Sequence, residues 1–269
     1  MYKKILLLIL INTFDFCYSQ ISKEFMRYNY EVTYLKRLDN QNPETATCIL
    51  DVYPNTSFFA DKNFIEKQNA LSNINPNQDR FTQVSNINTK YRPISFNYLV
   101  YKTNTSTTLY NQISDTKVQY LLENHFINWV VSSEISNWNN FKVQKATATI
   151  NGRDWTVLFT KEIAVNNGPY IFNSLPGFVV KAWDSQFQYI FEFLNSEKLN
   201  IDYNYLIESS NYKSITIKQK NQLLSNYYNK TYRAFWSETQ SNVEQFASLF
   251  PLDKKIGEVE NPIDLSFKK

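Results

Sequence analysis

Apolar and polar residues alternate over most of the chain between Tyr28 and Leu194. In the first such run, every second residue from Tyr28 to Tyr34 is aromatic or β-branched, which is the period of a strand with one buried face. Similar runs, separated by short polar segments, predict a mainly β protein with antiparallel pairing. The predicted strands cover residues 28–34, 45–53, 57–60, 80–84, 91–103, 108–113, 118–122, 126–132, 141–150, 154–160, 178–183 and 187–194.

Two connections between these runs are predicted to be tight turns. Asn151-Gly152 joins two alternating runs, and this dipeptide is a strong hairpin signal because both turn positions need positive φ. Asp184-Ser185-Gln186 is the second predicted turn. After it, alternation places four aromatic side chains on one face of the strand: Phe187, Tyr189, Phe191 and Phe193.

Helical periodicity is confined to two parts of the chain. Asp61 is a candidate N-cap for a helix that ends near Leu71. Apolar residues then recur every three to four positions over residues 218–237 and again over residues 242–249, which predicts a helical region at about residues 216–250. The expected fold is therefore a curved antiparallel sheet, or an open barrel or sandwich of many strands, with C-terminal helices. Lipoprotein carriers of the LolA type are one example of such a fold.

The N-terminus has the features of a secretory signal peptide. Lys3 and Lys4 precede a short apolar run, and small residues at Cys17 and Ser19 suit cleavage before Gln20. We therefore expect residues 1–19 to be removed and residues 20–269 to form one exported β domain. Asp15 and Phe16 argue against a lipid anchor on Cys17. The periplasm, the outer membrane and the medium all remain open as destinations.

Composition narrows the candidate functions. The net charge is +3 with no basic block, which argues against nucleic acid as a partner. The chain has four glycines and no glycine-rich phosphate loop, so we predict no cofactor. The one histidine, His125, has no Glu-x-x-His companion, so we predict no metal site. Cys48 lies on the apolar face of a predicted strand and is expected in the core.

Several short motifs around the first hairpin and at the C-terminus form one pattern. They are Lys145-Ala146, Gly152-Arg153, Gly-Pro-Tyr-Ile-Phe at 168–172, Ser-Leu-Pro-Gly-Phe-Val at 174–179, Asp184, and Asn-Pro-Ile-Asp-Leu at 261–265. The pattern resembles the GLPGLI family of Bacteroidetes envelope proteins. The resemblance implies an exported protein of unknown activity. Genes of such proteins often lie near TonB-dependent outer-membrane systems, so the expected partner is such a system or another envelope protein.

The chain departs from the family pattern at several positions. Ser174 replaces the first glycine of the naming hexapeptide, which argues against a role that needs positive φ there. Val143 stands where many members have cysteine, so Cys48 lacks the disulfide partner that the resemblance would otherwise imply.

The segment between Gly168 and Gly177 has two interpretations. Pro169 and Pro176 fix φ and donate no backbone hydrogen bond, so the segment is a stiff connection between two strands. In one interpretation it is a structural crossover whose apolar side chains plug the end of the sheet. In the other it lines a groove for a peptide, a lipid or a small molecule. The candidate binding or motif residues are Arg153, Trp155, Gly168, Pro169, Tyr170, Phe172, Leu175, Pro176, Gly177 and Asp184.

Arg153 and the nearby acids also allow two functions. Arg153, beside Trp155, suits a clamp for a carboxylate or phosphate, or an ion pair that orders the hairpin. Asp154 and Asp184 suit an acid/base pair, or a surface position and a turn. Our main hypothesis is a non-enzymatic binding protein for an apolar ligand, a peptide or an outer-membrane partner. The alternative is an extracytoplasmic hydrolase of peptide or glycan, which would require Asp154, Asp184 or Glu192 to face one another.

Overall fold

The computed structural model describes residues 24–91, 96–122, 126–200 and 211–268. The predicted signal peptide (residues 1–19) and His125 lie outside the described residues. None of the helices among the described residues is long and apolar enough to cross a membrane.

One twelve-stranded sheet forms the body of the described chain. The strands are β1 (Glu24–Tyr34), β2 (Glu44–Val52), β3 (Thr56–Asp61), β4 (Leu99–Thr103), β5 (Thr107–Ile113), β6 (Thr116–Leu121), β7 (Val130–Trp138), β8 (Phe141–Ile150), β9 (Arg153–Thr160), β10 (Phe178–Asp184), β11 (Tyr189–Asn200) and β12 (Lys213–Ser214). They lie in the order β12-β6-β5-β4-β3-β2-β1-β11-β10-β9-β8-β7, antiparallel except for the β12/β6 pair. The sheet is curved and does not close, which confirms the predicted mainly β fold and selects the open form.

Helices cover parts of both faces of this sheet. They are α1 (Lys62–Ser72), α2 (Arg80–Lys90), α3 (Ile217–Asn229), α4 (Tyr232–Ser237) and α5 (Ile256–Val259), with short 3-10 helices at Glu244–Phe246 and Ser266–Lys268. Helix α1 packs Ile65 against Ile49 and Phe58 on what we call the outer face. Helix α3 packs Leu224 on the inner face, the face that carries Tyr30 and Cys48.

The main hydrophobic core lies on the inner face and is built largely of aromatic rings. Tyr30, Phe59 and Phe191 are fully buried, and the last two pack with ring centroids 6.3 Å apart. Cys48 is also fully buried in this core, as predicted, and burial raises the pKa of its thiol well above its usual value. The inner face is thus filled by the chain's own side chains.

The first predicted hairpin is confirmed and the second is confirmed with one correction. Asn151 and Gly152 have φ of 51° and 80°, as a two-residue hairpin turn requires. In the second hairpin, Phe187 does not share a face with Tyr189. It has a positive φ of 54° in the turn, and 67 % of its side chain is exposed because the strand resumes only at Tyr189.

The strand predicted at residues 80–84 is wrong, because this segment is the start of helix α2. The Asp79 carboxylate accepts a hydrogen bond from the Thr82 backbone N–H at 2.6 Å and so begins the helix. Alternation over five residues is too short to distinguish a strand from one exposed helical turn. Two other strands are shorter or shifted: β4 begins only at Leu99, and β7 covers Val130–Trp138 instead of residues 126–132.

The single helix predicted at residues 218–237 is also wrong in detail. It is interrupted after Asn229, and Thr231 begins α4 by accepting a hydrogen bond from the Ala234 N–H at 3.1 Å. A threonine hydroxyl competes with helical hydrogen bonding in this way. The helix predicted at residues 242–249 is only a 3-10 turn, Glu244–Phe246.

Candidate functional site

The motif segment between β9 and β10 lies over the inner face and fills it. Tyr170, Phe172 and Leu175 are at most 3 % exposed. The Tyr170 ring stacks on Phe191 with centroids 6.3 Å apart, and Phe172 packs edge-on against Trp155 at 4.8 Å. These contacts support the interpretation of the segment as a plug for the aromatic core.

Close backbone approach explains two glycines of the motif. A Cβ on Gly177 would lie 2.3 Å from the Thr160 carbonyl oxygen, and a Cβ on Gly168 would lie 2.8 Å from Val179. Pro169 is buried beside Gly168, whereas Pro176 is exposed beside Gly177. The segment can therefore lie flat against the ends of β9 and β10 only with glycine at these two positions.

Ser174 corrects one expectation. Its φ is 66°, so this position does adopt the left-handed conformation that the family glycine would favour. The Ser174 hydroxyl donates to Asn173 Oδ1 at 2.8 Å and accepts from the Ile127 N–H at 3.2 Å. Local hydrogen bonds of this kind let a short polar residue occupy the left-handed region.

Arg153 is the hub that joins the first hairpin to the C-terminal motif. Its side chain is 4 % exposed and pairs with Asp184 at 2.8 Å. Arg153 Nη1, the nitrogen that contacts Asp184, donates its second N–H to Gln188 Oε1 at 3.0 Å. The remaining donors bond to Asn261 Oδ1 and to the carbonyl oxygens of Pro262 and Ile263.

A guanidinium has five N–H donors, and each of these five contacts uses one. The ring of Tyr189 also lies 4.8 Å from the guanidinium carbon of Arg153. Arg153 therefore has no free donor for a ligand. These bonds support the interpretation of Arg153 as a residue that orders the hairpin, and they leave none of its five donors for an external carboxylate or phosphate.

Three acids that a hydrolase would need do not converge. Asp184 is buried and accepts the N–H groups of Gln188 and Tyr189 in addition to Arg153. Asp154 is exposed and accepts the Thr149 hydroxyl at 2.6 Å. Glu192 pairs with Lys181 at 2.6 Å. Asp154 and Asp184 therefore occupy the surface position and the turn of the other interpretation, because alternation along β9 directs Asp154 away from the buried side that holds Arg153 and Asp184.

A cavity of about 540 Å³ lies at one end of the sheet, beside the motif segment. Its lining combines the β2–β3 turn, the β4–β5 turn and parts of the segment from Ala164 to Leu175. Its amide lining consists of Asn55, Asn104, Asn166, Asn167 and Asn173. Its hydroxyl lining consists of Tyr53, Thr56, Ser57, Thr103 and Ser174. Lys102 is the only charged residue among the described residues that line it.

Lys102 is buried at the edge of this cavity. It is 3 % exposed, and its Nζ donates to Asn167 Oδ1 at 2.8 Å and to the Gly168 carbonyl at 2.6 Å. The Phe172 carbonyl is at 3.5 Å, the limit of a hydrogen bond. No carboxylate among the described residues forms an ion pair with it, and burial lowers its pKa to about 7.

Lys102 makes stability depend on pH. Its folded pKa of about 7 lies below its usual value of 10.5, so the unfolded chain binds more protons between these values. We therefore expect the free energy of unfolding to rise as pH increases from 7, by roughly 1.5 kcal/mol at pH 8.5. Urea unfolding at pH 7.0 and 8.5 checks this.

Lys102→Met is the matched variant, and its free energy of unfolding should not show this increase between pH 7.0 and 8.5. If the free energy of unfolding changes equally with pH in the two proteins, the pKa of Lys102 is not lowered by burial. The range stops at pH 8.5 because the Cys48 thiol and the buried tyrosines, whose folded pKa values are raised, act in the opposite direction above it.

Sequence reasoning missed Lys102, although a signal was present. It shares a strand face with Val100, two residues earlier, and Val100 is fully buried. A lysine at an inward position of a strand is unusual and is a reason to look for a site. The described residues contain no cluster of His, Cys, Asp and Glu side chains arranged to hold a metal ion.

Comparisons with known proteins give distant structural similarities. No protein-family model and no curated protein sequence matches the chain. Two structures of PNGF-II are similar over 75 % of this chain, with 14 % and 13 % identity and a TM-score of 0.48. The chain spans about a third of PNGF-II, 33 % and 32 % of the two chains.

A LolA superfamily protein, NE2245 from Nitrosomonas europaea, is similar over 71 % of this chain and 91 % of its own. The identity is 6 % and the TM-score 0.27. Similarities at this level carry no conclusion about activity, ligand or partner.

Proposed function

We propose that the protein is an exported, non-enzymatic binding protein of the GLPGLI type, and that the cavity beside Lys102 holds a short peptide with a free carboxylate. The observation that carries the proposal is the buried Lys102 amine, which lacks an ion-pair partner among the described residues and borders a cavity of about 540 Å³. Cavities of about 300–1,000 Å³ are the usual size for small-ligand sites.

The charge of Lys102 favours an anionic ligand. A carboxylate near Nζ would stabilise the ammonium form and offset the cost of burying it. One of the three present contacts, to the Phe172 carbonyl at 3.5 Å, is weak, so one N–H can turn to a ligand at little cost.

The polar lining favours a peptide. Asparagine amides provide both donors and acceptors, which match the alternating N–H and C=O groups of a peptide backbone. Tyr53, Phe126 and Leu175 add apolar surface for a side chain. These groups lie on turns around a rigid sheet, the usual arrangement of a binding site.

The filled inner face argues against an apolar cargo between sheet and helix. Tyr170, Phe172 and Leu224 occupy that space with their own rings and methyl groups. Among the described residues, the large cavity lies outside this core and is lined by polar groups as much as by apolar ones. Of the ligands that the sequence left open, a peptide fits best.

The cellular setting is part of the proposal. The signal-like N-terminus supports export to the periplasm, to the outer membrane or into the medium. A TonB-dependent outer-membrane system is the proposed partner, on the family resemblance alone. Peptide capture beside such a system would be a coherent role for a protein of this kind.

A tetrapeptide library tests the proposed function. The purified protein is immobilised and exposed to random tetrapeptides, once with free C-termini and once with C-terminal amides, and retained peptides are identified by mass spectrometry. We expect retention of free-carboxylate peptides only. Affinities of enriched peptides, measured by calorimetry, should fall at least tenfold in Lys102→Met. A tenfold loss corresponds to about 1.4 kcal/mol, which is a modest part of the energy of a buried charge pair.

The matched control is Lys181→Met, which removes a partly exposed lysine on the outer face and should leave affinity unchanged. Retention of no peptide, or equal retention by Lys102→Met, would contradict the proposal. Equal retention of amidated peptides would exclude the carboxylate and with it the role of Lys102.

A further inference from the structure

A second, smaller cavity lies between the end of β1 and the C-terminal motif. It measures about 140 Å³. Five aromatic rings from the described part of the chain line it, those of Tyr34, Phe96, Tyr98, Tyr189 and Tyr228. The rest of the lining is Lys36, Asn97, Glu260, Asn261 and Pro262.

Among the described residues that line this cavity, Glu260 is the only acid, and it lacks a strong partner. Its carboxylate is approached by the hydroxyls of Tyr227 and Tyr232, at 3.4 Å or more. No lysine or arginine of the described residues forms an ion pair with it. Burial raises the pKa of Glu260.

Lys36 and Arg37, whose charges act on Glu260, are each also paired with another acid. Lys36 Nζ lies 3.6 Å from Glu44, and Arg37 pairs with Asp39 at 2.8 Å. The Lys36 side chain is 63 % exposed, so it lies at the mouth of the cavity. Glu260 is therefore a half-buried acid in the wall of the cavity that forms no ion pair with the described residues.

The backbone around Glu260 is fixed, so the cavity is preformed. Arg37 and Glu260 form an antiparallel β-bridge. The Asn261 N–H donates to the Lys36 carbonyl at 2.9 Å, and Asn261 Nδ2 donates to the Leu35 carbonyl at 2.7 Å. A preformed site binds its ligand without an ordering cost.

We infer that this cavity, which we call the Glu260 cage, binds the ammonium group of a small alkylammonium ligand. Aromatic ring faces carry negative electrostatic potential and attract a cation within about 6 Å, and quaternary ammonium groups are held by such cages in other proteins. Glu260 would supply the counter-charge. The inference concerns different residues from the Lys102 cavity and does not depend on the proposed function.

Choline is the probe, and 3,3-dimethylbutan-1-ol, which has the same shape without the charge, is its neutral control. Binding is followed by calorimetry and by chemical-shift changes of the tyrosine rings. We expect choline to bind in the millimolar range or tighter and the alcohol at least tenfold more weakly. Glu260→Gln should weaken choline binding at least tenfold, and Glu31→Gln, an exposed glutamate on β1, should not change it.

Three results would overturn the inference. They are the absence of choline binding, equal binding of the alcohol, and unchanged affinity in Glu260→Gln. Thermal unfolding of Glu260→Gln shows whether the variant is folded. If it is not, Tyr98→Leu replaces it as the test, because loss of one ring should weaken choline binding severalfold while leaving the carboxylate in place.

Discussion

Replacing Arg153 with alanine should destabilise the protein by about 3–5 kcal/mol, the range for breaking a buried ion pair. The change leaves Asp184 buried without its cation, and it removes the bonds to Asn261, Pro262 and Ile263. Urea unfolding measures the loss. Hydrogen exchange should also show faster exchange over residues 261–268, because their tether to the hairpin is gone.

Two controls make the Arg153 result specific. Arg80→Ala removes an exposed arginine on α2 and should change stability by less than about 0.5 kcal/mol. Arg153→Lys keeps the charge but provides at most three donors in place of five, so its loss should be intermediate. A change in Arg153→Ala as small as that in Arg80→Ala, with unchanged exchange at the C-terminus, would contradict the role of Arg153 as a hub.

The second large effect is expected at Gly177. A Cβ at this position would lie 2.3 Å from the Thr160 carbonyl oxygen, and Thr160 is paired with Phe178 in the β9/β10 ladder. Relief of the clash must move backbone, so Gly177→Ala should cost about 3 kcal/mol, the upper end for overpacking. Thermal or urea unfolding measures it.

Pro176→Ala is the matched control for Gly177. Pro176 is exposed, and its replacement should cost less than about 1 kcal/mol through the added freedom of the unfolded chain. If Gly177→Ala is as stable as Pro176→Ala, the close approach of the motif segment to β9 is not as described.

Local signals explain most of what the sequence predicted correctly. Asn151-Gly152 specifies its turn because both residues adopt positive φ, a property of the dipeptide itself. Cys48 and Tyr30 fall on the buried face because alternation alone assigns the faces of a strand. The two errors have separate local causes. At α2 a short alternating run belongs to a helix that begins at the Asp79 side chain. At Phe187 the alternating run includes a turn residue with positive φ.

The features that the sequence did not predict depend on contacts between distant segments. Arg153 could be expected to pair with an acid, but its bonds to Asn261 and Pro262 join residues more than 100 positions apart. Glu260 reaches the Glu260 cage only because the chain after α5 pairs with Arg37, three residues after the end of β1. No periodicity or motif predicts such an arrangement. Lys102 differs, since its spacing of two residues from the apolar Val100 in a predicted strand was a signal in the sequence, although only the structure shows that this face is buried.

Lys102 is a buried amine that we propose binds an anionic ligand. NMR of lysine side chains labelled at ¹³Cε tests this claim most directly. The Lys102 resonance, assigned by its absence in Lys102→Met, should titrate near pH 7 in the free protein and at higher pH with a bound carboxylate peptide. A Lys102 resonance that titrates near pH 10.5, with and without peptide, would contradict the account.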